Sequence, residues 1–129
     1  MVLKAVLLFV LGALASPAHA KSLRVTGTTG YLSEWQMSGD VTETISGRIR
    51  QFAGPLTMKH VGLCSQNGPE EKAAEIKFEI TDSRPSPRIR AILVMDGIHC
   101  TFSGTLSDTY DGAMDCANAK GVPIRISLK

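Results

Sequence analysis

The chain has 129 residues, 43% hydrophobic, 20% charged and 5% aromatic, with 14 Lys and Arg against 12 Asp and Glu. That is the length of one domain, and a formal charge of +2 creates no global field for nucleic acid or a membrane surface. With no block of like charge, no basic–aromatic interleaving and no internal repeat, a nucleic-acid partner is not expected.

In chain order, the first feature is a leader. Lys4 is a positive n-region, Ala5 to Ala15 form an almost unbroken apolar stretch, and Ser16-Pro17 breaks it. Ala18 and Ala20 place small residues at −3 and −1 before Lys21. This pattern predicts a bacterial-type secretory signal peptide over 1–20 and a single domain over 21–129, periplasmic or secreted. Eleven apolar residues fall short of the roughly 20 that span a bilayer. The longest later aliphatic run, Ala91 to Met95, is shorter still, so no membrane span is expected after the leader is removed.

From Lys21 onward the pattern is that of β-structure. Trp35, Met37 and Val41 alternate with Glu34, Gln36 and Asp40; Ile76, Phe78 and Ile80 alternate with Glu75, Lys77, Glu79 and Thr81. Period-two alternation with polar residues outward marks antiparallel strands with one face in water. Turn signals at Gly27, Gly39-Asp40, Gly47, Gly54-Pro55, Asn67-Gly68-Pro69, Asp96-Gly97, Asp111-Gly112 and Gly121 divide the chain into strands over about 23–29, 31–39, 43–52, 56–63, 74–82, 89–95, 98–106, 110–116 and 123–128. Pro69 followed by Glu70 and Glu71 predicts one helical turn over 69–74.

The last strands can be registered. Asp96-Gly97 between apolar runs is a two-residue hairpin signal and pairs Met95 with Ile98, Leu93 with Cys100 and Ala91 with Phe102. A hairpin symmetric about Asp108 sets Leu106 against Tyr110, Gly104 against Gly112, Phe102 against Met114 and Cys100 against Cys116, all on one face. Opposed residues are close enough for a disulfide. The expected bond is therefore Cys100–Cys116, with Cys64 left as a free thiol in an oxidising compartment.

Catalytic and metal-binding patterns are weak. On strands, His60 and Cys64 stand about 13 Å apart, and His99 and Cys100 point to opposite faces. Met37, Met58, Met95 and Met114 are scattered along the sequence and read as core filler. Neither a metal nor another cofactor is expected. Cys64 with His60 or His99 is the one route to a cysteine-dependent enzyme, and it carries no recognisable local signature. No Gly-x-Ser-x-Gly elbow occurs, Gly27 and Gly30 lack the Lys of a P-loop, and Asp108, Asp111 and Asp115 do not have EF-hand spacing.

The expected fold is all-β: a small antiparallel up-and-down barrel or barrel-like sandwich of eight or nine strands. The expected function is that of an exported, non-catalytic binding protein of the bacterial envelope. One form of it holds a small apolar ligand against Trp35, Met37 and Phe78. The alternative is an inhibitor that engages an envelope protein through loop 83–90, with Arg84, Arg88 and Arg90, and strand 91–95.

Overall fold

Alternating inward and outward side chains produce eight strands: β1 (Ser22–Thr29), β2 (Trp35–Ser46), β3 (Ile49–His60), β4 (Glu71–Thr81), β5 (Arg88–Met95), β6 (Ile98–Thr105), β7 (Thr109–Cys116) and β8 (Val122–Leu128). The computed structural model describes residues 21–46, 49–61 and 68–129; the leader predicted over 1–20 and the predicted free thiol Cys64 lie outside the described residues. Each strand pairs antiparallel with its sequence neighbour, and β8 returns to β1, closing an up-and-down barrel. The closing seam extends past the strand ends: the Arg24 N–H donates to the Lys129 carbonyl at 2.8 Å, and the Lys129 N–H donates back at 2.9 Å. Closure gives every strand a neighbour on both sides. No helix occurs among the described residues, hence none long and apolar enough to cross a membrane.

Eight strands enclose an interior just wide enough for side chains to fill. β4 shows the division: Ala74, Ile76, Phe78 and Ile80 are buried, whereas Ala73, Glu75 and Lys77 face solvent. Phe78 stacks on Phe52 with ring centroids 4.8 Å apart. Met37, Val41, Leu93 and Ile126 complete the layers around them, none more than 3% exposed.

Four of the predicted turn signals lie inside strands, Gly27 in β1 and Asp111-Gly112 in β7 among them; the other two are why the barrel has eight strands and not nine. Gly39-Asp40 lies inside β2 and Gly54-Pro55 inside β3. A Cβ on Gly39 would stand 2.3 Å from the Pro55 carbonyl oxygen, and one on Gly54 would stand 2.6 Å from that of Asp40. The two strands pair directly up to Ser38–Thr57 and again from Thr42–Ala53. Between these pairs they bend sharply around the barrel, and only glycine permits so close an approach. The Pro55 carbonyl faces β2, so the N–H that proline lacks falls in the interruption. The predicted helical turn over 69–74 is also absent: Glu71 opens β4 and pairs with Lys59. The period-two alternation of β4 starts at Lys72 and overrides the local helix-start signal.

The Asp96-Gly97 hairpin forms as expected. Both residues have positive φ, 50° and 74°, as a type I′ turn requires, and Met95–Ile98, Leu93–Cys100 and Ala91–Phe102 are paired. β6 and β7 pair at Cys100–Cys116 and Thr101–Asp115. The cysteine sulfurs are 1.99 Å apart, at disulfide distance, with Cα atoms 3.9 Å apart. Such a pair is compatible with an oxidising, extracytoplasmic location.

Beyond Thr101–Asp115 these strands no longer pair backbone to backbone. The predicted register sets Ser103 against Ala113, and at that position the Tyr110 hydroxyl takes over. It donates to the Ser103 carbonyl at 3.3 Å and accepts from the Ala113 N–H. Its ring stacks on Phe102 at 5.0 Å and covers Gly104 and Gly112, where added Cβ atoms would stand 2.9 and 2.8 Å from ring carbons. Burial pushes the Tyr110 phenol above its ordinary value of 10.0, and the Ala113 N–H works the other way.

Two outcomes follow for stability. Cys100→Ala with Cys116→Ala opens a loop of sequence separation 16 and is expected to cost roughly 3 kcal/mol in urea unfolding. Tyr110→Phe keeps the ring but removes both hydrogen bonds of the hydroxyl, for a loss of about 1 kcal/mol. Because the folded-state pKa of Tyr110 is raised, its contribution is complete below the unfolded value, and the gap between the two proteins narrows as pH rises through the folded-state pKa. Unfolding curves at neutral and alkaline pH check this.

Candidate functional site

The two ends of the barrel differ in kind. At the end near residues 82–87 and 106–108, Glu43 and Arg50 both point inward. The Arg50 Nε donates to the Glu43 carboxylate at 2.7 Å, and the guanidinium lies 5.3 Å from the Phe52 ring centroid. Only 4% of the Glu43 side chain is exposed. Its hydrogen bond to Arg50 holds the carboxyl below the usual carboxylate range, against the opposing effect of burial, and the same bond raises Arg50. This end is plugged by the packed Phe52–Phe78 layer, with the ion pair above it: the Glu43 carboxylate is hidden and half of the Arg50 side chain is in solvent.

The other end is open. There, Gly30, Tyr31, Glu34, Asp96, Asn118 and Ala119 border a cavity of about 210 Å³. Trp35, the first residue of β2, stands at its wall. Two neighbours orient the indole: the Lys72 ammonium lies 4.8 Å from its ring centroid, and the His60 ring packs edge-on at 4.7 Å. Lys72 is held in turn by Asp96 of the hairpin turn, at 3.0 Å. His60 pairs with Trp35 across the β2–β3 ladder, and its Nδ1 is buried with no hydrogen-bond partner. The inner surface is formed by Met58, Met114 and the Cys100–Cys116 pair, and Met95 and Ile98 add to the wall.

The rim carries exposed apolar side chains and is tied down. Tyr31 is 63% exposed and Leu32 87%, yet the Tyr31 hydroxyl donates to the Lys120 carbonyl at 2.8 Å. The Glu34 carboxylate accepts the Leu32 N–H at 2.9 Å, and the Glu34 carbonyl accepts the Val61 N–H.

Of the residues singled out from the sequence, Trp35 is at this opening. Met37 lies one layer deeper, opposite Met58, and Phe78 belongs to the packed core at 1% exposure. Arg84, Arg88 and Arg90 are exposed and sit toward the plugged end, with Arg88 and Arg90 on the outer face of β5 beside Ile92. None of the three makes an ion pair among the described residues. His99 faces outward on β6 while His60 faces inward on β3, so the wall of the barrel separates the two histidines. No group of three His, Cys, Asp or Glu side chains converges among the described residues.

Sequence reasoning missed most of this opening. Lys72 fell in the predicted helical turn, and Asp96 was read only as a turn residue. The methionines that are scattered in sequence are not scattered in space: Met58, Met95 and Met114 line one cavity. Their common inward parity in three alternate strands, combined with the registers of the last hairpins, was the signal that pointed to it. What the arrangement offers is an aromatic face and soft apolar walls under a rim bearing one cation and two carboxylates. Comparison with protein-family models, curated proteins and solved structures finds no match to this chain.

Proposed function

We propose that this is an exported, non-catalytic binding protein of the bacterial envelope, periplasmic or secreted, and that its open barrel end holds a small apolar group. The observation that carries the reading is Trp35, fixed between Lys72 and His60 with its face at the cavity. Aromatic side chains held rigidly beside an apolar hollow gain contact area on binding at little entropic cost. The filled interior directs binding to the opening. A volume of about 210 Å³ is below the roughly 300–1,000 Å³ of sites for drug-sized ligands. The group held is therefore the size of one side chain or a small aromatic molecule. The cysteine pair at disulfide distance and the leader pattern support export.

The test is a titration with benzyl alcohol, read from the Trp35 indole N–H resonance. Saturable shifts are expected at Trp35, Lys72 and Ile98 and not at Arg84, Arg88 or Arg90, and Ile98→Phe, which fills the opening, should weaken binding at least tenfold. Shifts spread evenly over the barrel wall would sink the reading.

One observation favours a second reading, an acidic envelope protein held by loop 83–90 and strand 91–95. Arg84, Arg88 and Arg90 are unpaired among the described residues, and Ile92 beside them is 44% exposed. Unpaired arginines next to exposed apolar surface suit carboxylate recognition. A polyglutamate peptide should bind at low salt, and Arg84→Ala, Arg88→Ala and Arg90→Ala together should abolish binding without disturbing the benzyl alcohol shifts. Retained peptide binding in the triple variant would remove this reading.

A further inference from the structure

We propose that the open barrel end is also a binding site for a soft monovalent cation, Cu(I) in chemical class, held by the thioether sulfurs of Met58, Met95 and Met114. Four methionines follow the leader, and three of them line a single cavity of about 210 Å³. In a space that small, three long, unbranched thioethers can turn toward one ion. They come from β3, β5 and β7, so they approach from separate sides and do not lie along one strand.

The surroundings select for the same chemistry. Thioether sulfur prefers Cu(I) to hard cations such as Ca²⁺ or Mg²⁺, which take oxygen ligands. The carboxylates at the rim are engaged: Asp96 with Lys72 and Glu34 with the Leu32 N–H. Cys100 and Cys116 are paired with each other, so neither supplies a thiolate for Zn²⁺. Two further features suit a cation. The Trp35 face already receives one, the Lys72 ammonium at 4.8 Å, as the negative face of an indole does. Next to that ring, the His60 Nδ1 is buried and has no hydrogen-bond partner. The hollow thus offers three thioethers beside an aromatic face.

This inference uses the opening assigned above to an apolar group and rests on that opening being the binding surface, but it depends on sulfur where the apolar reading depends only on shape. The experiment exploits that difference. Ag(I), a redox-inert stand-in for Cu(I), is titrated into the mature protein carrying Cys64→Ser, so that this thiol does not take up the ion. Trp35, the one tryptophan of the chain, reports binding by quenching of its emission, and calorimetry gives the stoichiometry. One ion per chain is expected, displaced by Cu(I) kept reduced and not by Zn²⁺.

The variant Met58→Leu/Met95→Leu/Met114→Leu conserves volume and apolar character. It should lose Ag(I) affinity at least a hundredfold while still binding benzyl alcohol. Met95→Leu alone alters the half-buried member of the set and should lose at least tenfold, which keeps the test decisive if the triple variant fails to fold. Unchanged Ag(I) affinity in the folded leucine variants, or displacement by Zn²⁺, overturns the soft-cation site. Absence of Ag(I) binding with benzyl alcohol binding intact overturns it too and leaves the opening standing as an apolar site. Loss of both in the unmodified protein overturns the opening itself.

Discussion

Everything in this molecule depends on the width of an eight-stranded closed sheet. Inward side chains from opposite walls meet in the middle, so the interior is a packed core. Phe52 against Phe78, with Met37, Val41 and Leu93 around them, occupies the central layers. Large residues in the middle of a tube leave space only where the layers run out. The two ends are where chemistry can differ, and the sequence treats them differently: a half-buried ion pair at one, an aromatic and sulfur-rich hollow at the other.

Closure has a weak point, and the chain reinforces it twice. β6 and β7 share only two direct residue pairs, while other neighbouring strands share five or more. At one end of that seam the cysteines stand at disulfide distance. Farther along, the Tyr110 hydroxyl fills a position where backbone would have met backbone, and two glycines make room for its ring. The reinforcement matters for the open end because Cys100, Cys116 and Met114 are part of its surface. A seam that spread would pull that surface apart.

The closed all-β architecture was legible because period-two alternation reports which face is buried wherever a strand has one face in water. The Asp96-Gly97 turn and the Cys100–Cys116 pairing were legible because a hairpin turn fixes register locally, and the rest follows by counting. The bends at Gly39 and Gly54 were not, since glycine at a tight turn and glycine at a close strand crossing look alike until the partner strand is known. Pro69-Glu70-Glu71 misled for a related reason: a helix-start signal is local, and the alternation that overrides it begins just after. The open end was least legible of all. Trp35 stood out as the sole tryptophan, but His60, Lys72, Asp96 and the three methionines come from separate strands and turns. Only the closed register brings them to one place.

The packed Phe52–Phe78 layer gives the barrel the topology of a cup. With Phe52 beneath the guanidinium and nearly all of the carboxylate hidden, there is no route through the tube. Whatever enters at Trp35 leaves past Trp35. Two ligands proposed for this opening would have to exclude one another, and anything seated on the Tyr31–Leu32 rim would act as a stopper for both.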